Sequence, residues 1–453
     1  MNRISSLSLQ LGDNQNSRNL VWYNLSGNKK AYVKYAKKED YLINGFNGKG
    51  TITTEGTVCD IYKNPNHVSC KATVTDLAYG CEYYYQVGSE NGFSKKTYCF
   101  KMPEQNLNSY RFSLISDAHF KDRPLWKYPS KPKKETVEEW GKFLDTVAAA
   151  NPECIVSLGD NISSYNMNFI KKNERLRKGV EKEMDLFFSP KIMKEIPLVS
   201  VMGNHDFAPL DKPDDSTSIT GYHFNLPHDD GVSGHCLNNS CGNFWYRLRD
   251  VLIIGINIFE NSDGNRSGTS VKINNEYAKK ALEQNKDAKW RIVMLHINTY
   301  SHISGKYEII NNFINKLCSE NNIDIVFNGH AHAYSLSYQI ENGEPVDIQN
   351  IEKAGKSTYK TINPRGTLHC NVPCAMYHSF SDVEPDYKKY IRNYGLTDSA
   401  AKNFPDFCGL TFNGGCFMNV DINNNPHSTS LSLKLIQEHD NRTLEEYIIQ
   451  KSL

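Results

Sequence analysis

Nine residues of the types that bind metal ions or move protons stand just after short apolar runs. They are Asp117 and His119, Asp160, Asn204 with His205 and Asp206, His296, and His330 with His332. The blocks that carry them read FSLISDAH (112–119), CIVSLGD (154–160), IPLVSVMGNHD (196–206), RIVMLH (291–296) and IDIVFNGHAH (323–332). Carboxylate, imidazole and amide oxygen without thiolate suit zinc, manganese or iron(II). Asp117, His119, Asp160, Asn204, His296, His330 and His332 are too many ligands for one tetrahedral ion. They suit two ions about 3.5–4 Å apart that share one carboxylate. A single aspartate after a strand is commonly a turn residue and a single histidine commonly a core or surface group, so the ordered set carries the argument.

The elements that must position this set can be read from the same blocks. Apolar runs bounded by Gly, Asn or Asp suit strands buried on both faces. Val137, Trp140, Phe143, Leu144 and Val147 follow helical spacing within 136–150, with Pro152 beyond, and 276–282 and 307–318 are similar. Each helix comes shortly before a block-bearing strand, which implies right-handed β-α-β connections and a mostly parallel sheet. Residues at the carboxyl ends of such strands gather in one crevice.

The whole chain has 453 residues, more than one core usually supports, so two domains are expected. Residues 1–104 read as an all-β sandwich, with β-branched and aromatic segments at 19–22, 31–35, 69–75, 82–87 and 97–101 separated by Asn, Gly and Lys turns. Nothing in this module looks catalytic; it reads as a packing partner, with a carbohydrate-binding or adhesion module as the sharper alternative. Residues 105–453 read as the α/β catalytic domain, which returns to strands at 417–422 and 430–436. The polar, weakly periodic segment 339–365 is expected to be a surface insertion.

A formal net charge of +1 gives no whole-molecule field to recruit nucleic acid or anionic lipid. No apolar stretch approaches the ~20 residues of a membrane span. The basic stretch KYPSKPKK (127–134) reads as a solvated loop, with a phosphate-steering lip as the other reading. Twelve cysteines include the near pairs Cys59 and Cys70, Cys81 and Cys99, Cys236 and Cys241, Cys370 and Cys374, and Cys408 and Cys416. Local pairing of that kind fits disulfides in an exported protein, and free thiols of a cytosolic enzyme are the alternative. MNRISSLSLQ lacks the features of a secretory signal, while the cysteines tilt the expectation toward a secreted or cell-surface protein.

The order D-x-H, G-D, G-N-H-D, a strand-ending His and G-H-x-H resembles the calcineurin-like metallophosphoesterase superfamily across roughly residues 110–335. Ahead of it, DLAYGCEYYYQVG (76–88) looks like the end of the fibronectin-III-like module of purple acid phosphatases. The segments 241–257, 289–300 and 367–377 are similar to bacterial members of that two-domain group. The resemblance implies a β-sandwich followed by a layered α/β/β/α domain with mixed sheets. It also implies two Fe, Mn or Zn ions and a phosphate-ester substrate. Asp117, His119 and His332 would hold the first ion, Asp160 would bridge, and Asn204, His296 and His330 would hold the second. His205 would lie over the phosphate as general acid or electrostatic stabiliser, with Asp206 fixing its ring. Two cations would polarise the phosphoryl oxygens and acidify a bound water for in-line attack.

This chain departs from purple acid phosphatases at two places. It has Asp117-Ala118-His119 for their D-x-G, and Ser163 where their iron-binding tyrosine falls. His119 then stands in for the tyrosine, with Tyr165 as a shifted alternative, and neither purple colour nor a strongly acidic optimum is expected. His223, His228, His235, Asn298, Tyr300, His302 and Tyr334 are further pocket candidates. Phosphomonoesters are favoured modestly over phosphodiesters. A non-catalytic binding or adhesion protein is the reading of another class; it predicts losses among the ligand positions, and none is lost.

Overall fold

The computed structural model describes residues 4–61, 64–120, 134–163, 174–206, 220–229, 242–258, 268–300, 308–332, 334–376 and 415–453. The stretch 127–133, both His235 and His302, Tyr165, and Cys236, Cys241 and Cys408 lie outside them.

Two sheets face each other in the catalytic part. In the first, Ser109–Ile115, Ile155–Ser157 and Leu198–Ser200 run parallel, and Cys416–Asn425 joins antiparallel beside Ser109–Ile115. In the second, Val251–Gly255, Trp290–Met294, Ile325–Asn328 and Thr367–Asn371 run parallel, with Phe244–Leu248 and Ser335–Glu341 antiparallel at its flanks. The inner faces meet in one core containing Phe112, Leu114, Val156, Val199, Ile253, Ile292 and Phe327. Helix Lys134–Ala149 adds Trp140, Phe143, Leu144 and Val147 to that core. Trp140 stacks on Phe143 and Phe187 while its indole N–H donates to the Phe187 carbonyl at 2.9 Å. On the outer face of the second sheet, helices Gly268–Gln284 and Glu308–Asn321 pack Ala278, Ala281, Ile314 and Leu317 on Ile254, Val293 and Val326. Mixed sheets flanked by helices are the architecture the resemblance implies; the blocks alone suggest a mostly parallel sheet, and the antiparallel strands at the flanks are the difference.

The N-terminal β module has its own core around Trp22, Val33, Tyr85 and Phe100. Its first strand, Ser5–Leu11, was not among the expected segments, and it is the joint of the molecule. It pairs antiparallel with Arg18–Leu25 on one side and parallel with Leu198–Ser200 on the other. The sandwich and the first catalytic sheet thereby form one continuous sixteen-stranded sheet. Around the joint the module holds 220–225 by buried polar bonds. The Gln10 side chain donates to the His223 carbonyl at 2.9 Å and accepts from the Asn225 N–H at 2.8 Å. The hydroxyl of Ser69 donates to the Tyr222 carbonyl at 2.6 Å.

Two expectations are corrected here. The segment 339–365 is largely at the surface but is not an insertion apart from the sheets, because it ends the strand Ser335–Glu341 and contains Thr358–Ile362, which pairs parallel with Arg442–Ser452. In TYKTI the alternation buries Tyr359 and Thr361, a two-residue period the polar composition masks. The described cysteines form no disulfides. Cys70 stands opposite Val58, so the side chains of Cys70 and Cys59 fall on different faces; Cys70 enters the sandwich core and Cys59 packs on the catalytic core. Cys99 stands opposite Tyr84, three residues from Cys81.

Replacing Gln10 by alanine leaves one donor and one acceptor buried without partners, at about 1–3 kcal/mol each. Gln10→Ala is therefore expected to lower stability by about 2–6 kcal/mol within a single cooperative unfolding transition, measured by denaturant titration. Separate transitions for the two modules would contradict the continuous sheet as a cooperative unit.

Candidate metal centre

All five blocks end on the same rim, where the carboxyl ends of the parallel strands of both sheets come together. From the first sheet come Asp117 and His119, Asp160, and the Asn204-His205-Asp206 turn; from the second come His296, then His330 and His332. Ligand atoms of Asp117, His119, Asp160 and His332 lie within 4.8 Å of one another, and those of Asp160, His296 and His330 form a second such group. Asp160 is common to both. Its Oδ2 is 3.5 Å from His119 Nε2 and 3.1 Å from His296 Nε2. His332 Nε2 lies 3.3 Å from Asp117 Oδ1 and 2.9 Å from His119 Nε2. Asn204, an amide ligand type, places Oδ1 3.1 Å from His296 Nε2. Two adjoining groups of hard and borderline donors around one shared carboxylate fit two divalent or trivalent ions.

The backbone is bent to make this possible. Asp117, His119, Asp160, His330 and His332 all have left-handed φ, between 41° and 66°. Such a conformation in non-glycine residues is stored where surrounding contacts over-determine it. Those contacts are present: Asp117 N–H donates to the Gly159 carbonyl at 3.0 Å, His119 N–H to the Asp160 carbonyl at 2.9 Å, and His330 N–H to Asp117 Oδ2 at 2.9 Å. His205 N–H donates to Asp160 Oδ1 at 2.7 Å, leaving Oδ2 toward the two histidines. The glycines of the motifs are close-approach positions. A Cβ on Gly203 would strike the Asp160 carboxylate, and one on Gly329 would come within 2.7 Å of Asp117 Oδ2.

Charge is balanced by protons in the ion-free protein. Burial opposes ionisation of Asp117 and Asp160, yet the histidines around them hold both carboxyls below the usual range. Burial likewise opposes charge on His296, but Asp160 and Asp117 outweigh it and push the ring up to about 9. His332 is raised in the same sense, by Cys374 and Asp117 against burial. Burial and the neighbouring His296 push His330 down to about 3, so it is neutral at pH 7. Burial also pushes His205 down to about 4, although Asp160 opposes this. Its ring stands edge-on to His119 with centroids 4.6 Å apart, beside the ligand groups.

Asp206 accepts from the backbone N–H groups of Gly203 at 3.0 Å and Asn161 at 2.9 Å, and from the Asn161 amide at 3.2 Å. It fastens the His205 turn to the Asp160 loop through the backbone. Ser163, at the tyrosine position, donates to the His119 carbonyl at 2.8 Å and so supports the loop of the residue proposed to replace that tyrosine.

Several pocket candidates lie elsewhere. His223 is fully buried at the module joint, its Nε2 3.0 Å from the Tyr23 hydroxyl. His228 stacks on Trp245 with centroids 3.6 Å apart and its backbone N–H donates to Asp13. Tyr300 donates to Asn315 and Tyr334 to Glu445, both within the fold, and Asn298 is buried. Sequence reasoning missed Ser116, whose carbonyl binds the Ala375 N–H at 2.7 Å, and the adjoining Cys374, which it read as half of a disulfide or as a free thiol.

Comparison with known proteins agrees with this fold. Residues 110–334 match the calcineurin-like phosphoesterase family, and residues 4–102 match the purple acid phosphatase N-terminal domain. A purple acid phosphatase from yellow lupin (Lupinus luteus) seeds is similar with a TM-score of 0.67 at 14% identity, over 99% of this chain and 75% of that one. That likeness concerns the fold. A dimetal phosphatase from Danio rerio aligns with a TM-score of 0.38 at 10% identity, over 75% of this chain and 98% of that one.

Ions entering these groups must displace the protons on His296 and His332. Zinc binding to the ion-free protein at pH 7 is expected to release at least about one proton and to tighten as pH rises toward 9. Calorimetry in two buffers of different ionisation enthalpy checks this, and buffer-independent heats would refute it. Gly203→Ala is expected to cut metal content, read by elemental analysis, because the new Cβ displaces Asp160. The chain carries a calcineurin-like phosphoesterase domain behind a purple acid phosphatase N-terminal domain, and it is a phosphoester hydrolase.

Proposed function

We propose that the protein hydrolyses phosphomonoesters at a dinuclear centre in which Asp160 is the shared ligand. The observation that carries this reading is the pair of ligand groups meeting at Asp160 Oδ2, between His119 and His296. Asp117, His119 and His332 are assigned to one ion of Fe, Mn or Zn, and Asn204, His296 and His330 to the other. Bound cations would supply Lewis acidity at the phosphoryl oxygens and a nucleophilic water. The similarity to a purple acid phosphatase supports the monoester as substrate.

The roles of the remaining residues follow from their surroundings. His205 is neutral near pH 7 in the ion-free protein, because burial disfavours its charge. Of the two roles open to it, it is therefore assigned that of stabiliser, donating one imidazole N–H to a phosphoryl oxygen as charge grows there. Asp206 keeps the turn bearing His205 in register with Asp160. The residues 1–104 act as a packing module that holds the first sheet, and 105–453 contain the site.

Hydrolysis of an aryl phosphomonoester and an aryl phosphodiester by protein loaded with Mn, Zn or Fe tests the reading. Monoester preference is expected, and diester preference would move the assignment to a phosphodiesterase. Asp160→Ala should lower activity by more than the roughly 10–100-fold typical of losing an outer partner of a metal ligand. His205→Ala should keep both ions and lower kcat by about 10²–10³, equally for good and poor leaving groups. A loss that grows with leaving-group pKa would make His205 the general acid instead.

A further inference from the structure

The two ligand groups orient their histidines by different means. At His296, Nε2 faces Asp160 and Asn204, while Nδ1 lies 2.8 Å from the Leu158 carbonyl oxygen, so a backbone acceptor fixes the ring. At His332, Nε2 is the nitrogen turned toward Asp117 and His119. Nδ1 is left for another partner, and the thiol of Cys374, which raises the basicity of this ring, belongs to the segment packed against the same turn. Its sulfur lies 3.8 Å from the His332 carbonyl oxygen, so the thiol S–H is directed to the backbone of this one residue and the sulfur lone pairs remain open.

The segment that carries Cys374 is pinned on every side. Val372 N–H donates to the Asn328 carbonyl at 2.9 Å, just ahead of the turn bearing His330 and His332. Ala375 N–H donates to the Ser116 carbonyl at 2.7 Å, next to Asp117, and Cys416 N–H donates to the Cys374 carbonyl at 3.0 Å. Cys374 is 1% exposed, so its sulfur has no water to turn to and a fixed backbone from which to reach His332.

We propose that Cys374 is a positioning residue for the first ion. Its sulfur accepts the Nδ1 proton of His332, holds the tautomer with Nε2 free for the ion, and sets the affinity of that half of the centre. Outer partners of this kind are usually carboxylates, backbone carbonyls or water, and their loss typically costs 10–100-fold in metal affinity. The proposal rests on the two-ion reading above.

The test is a Co(II) titration of the ion-free full-length protein against a competing chelator, with the visible Co(II) bands recorded alongside. Wild type is expected to bind two ions. Cys374→Ala is expected to bind one ion as wild type does and the other about 10–100-fold more weakly, with altered bands for that ion. Cys374→Ser keeps an acceptor and is expected to recover most of the affinity. Cys416→Ala removes an equally buried neighbouring thiol and is expected to leave both affinities unchanged. If Cys374→Ala does not fold, Cys374→Val is compared with Cys374→Ser in its place. Unchanged affinity in the alanine or valine variant, equal weakening at both ions, or no recovery with serine would each overturn the proposal. Fewer than two ions in wild type would instead overturn the two-ion reading on which it rests.

Discussion

Two carboxylates, Asp117 and Asp160, stand 0% and 1% exposed on the same rim, and the molecule is arranged around their charge. Burying an ion costs several kcal/mol unless opposite charge and hydrogen bonds answer it. Here the answer is supplied by N–H groups of His205 and His330 and by a ring of imidazoles, two of which carry protons in the ion-free protein. His296 and His332 are thus cation partners when ions are absent, and would be neutral ligands when ions are present. The buried carboxylates explain why the rings sit so close: His119 and His332, 2.9 Å apart at their nitrogens, both face Asp117.

The same demand accounts for the backbone. Straight continuation of a strand sends successive side chains to opposite faces, so Asp117 and His119, two apart, could share a face but could not curl over one ion. A left-handed residue at each of the five positions turns the chain back on itself within one or two steps. Each such residue costs of order 1–3 kcal/mol, and the cost is met by bonds that cross between loops. Gly203 and Gly329 are required because the loops pass closer than a Cβ allows.

The residues that gather on the rim and the order of the catalytic strands were legible in the sequence because each apolar run ends in a residue that a buried strand has no structural need for. Trp140, Phe143 and Val147 gave the helix before the second block for the same reason, a strict spacing. What escaped was of another kind. Ser5–Leu11 reads as a weak serine and leucine alternation, and only its partner in the folded chain, Leu198–Ser200, makes it the joint. Cys374 lay in view but invited a disulfide, since adjacency in sequence says nothing about a thiol's partner 42 residues away. Left-handed φ at histidine has no sequence signature, because the surrounding structure and not the residue selects it.

The continuous sheet gives the N-terminal module a part that its own surface does not suggest. Leu198–Ser200 carries the turn with Asn204 and His205, and without Ser5–Leu11 it would be an edge strand with a bare row of N–H and C=O groups beside the catalytic rim. Exposed edges of this kind recruit strands from other molecules. The module therefore protects the chain from pairing with itself at the place where such pairing would distort the centre most.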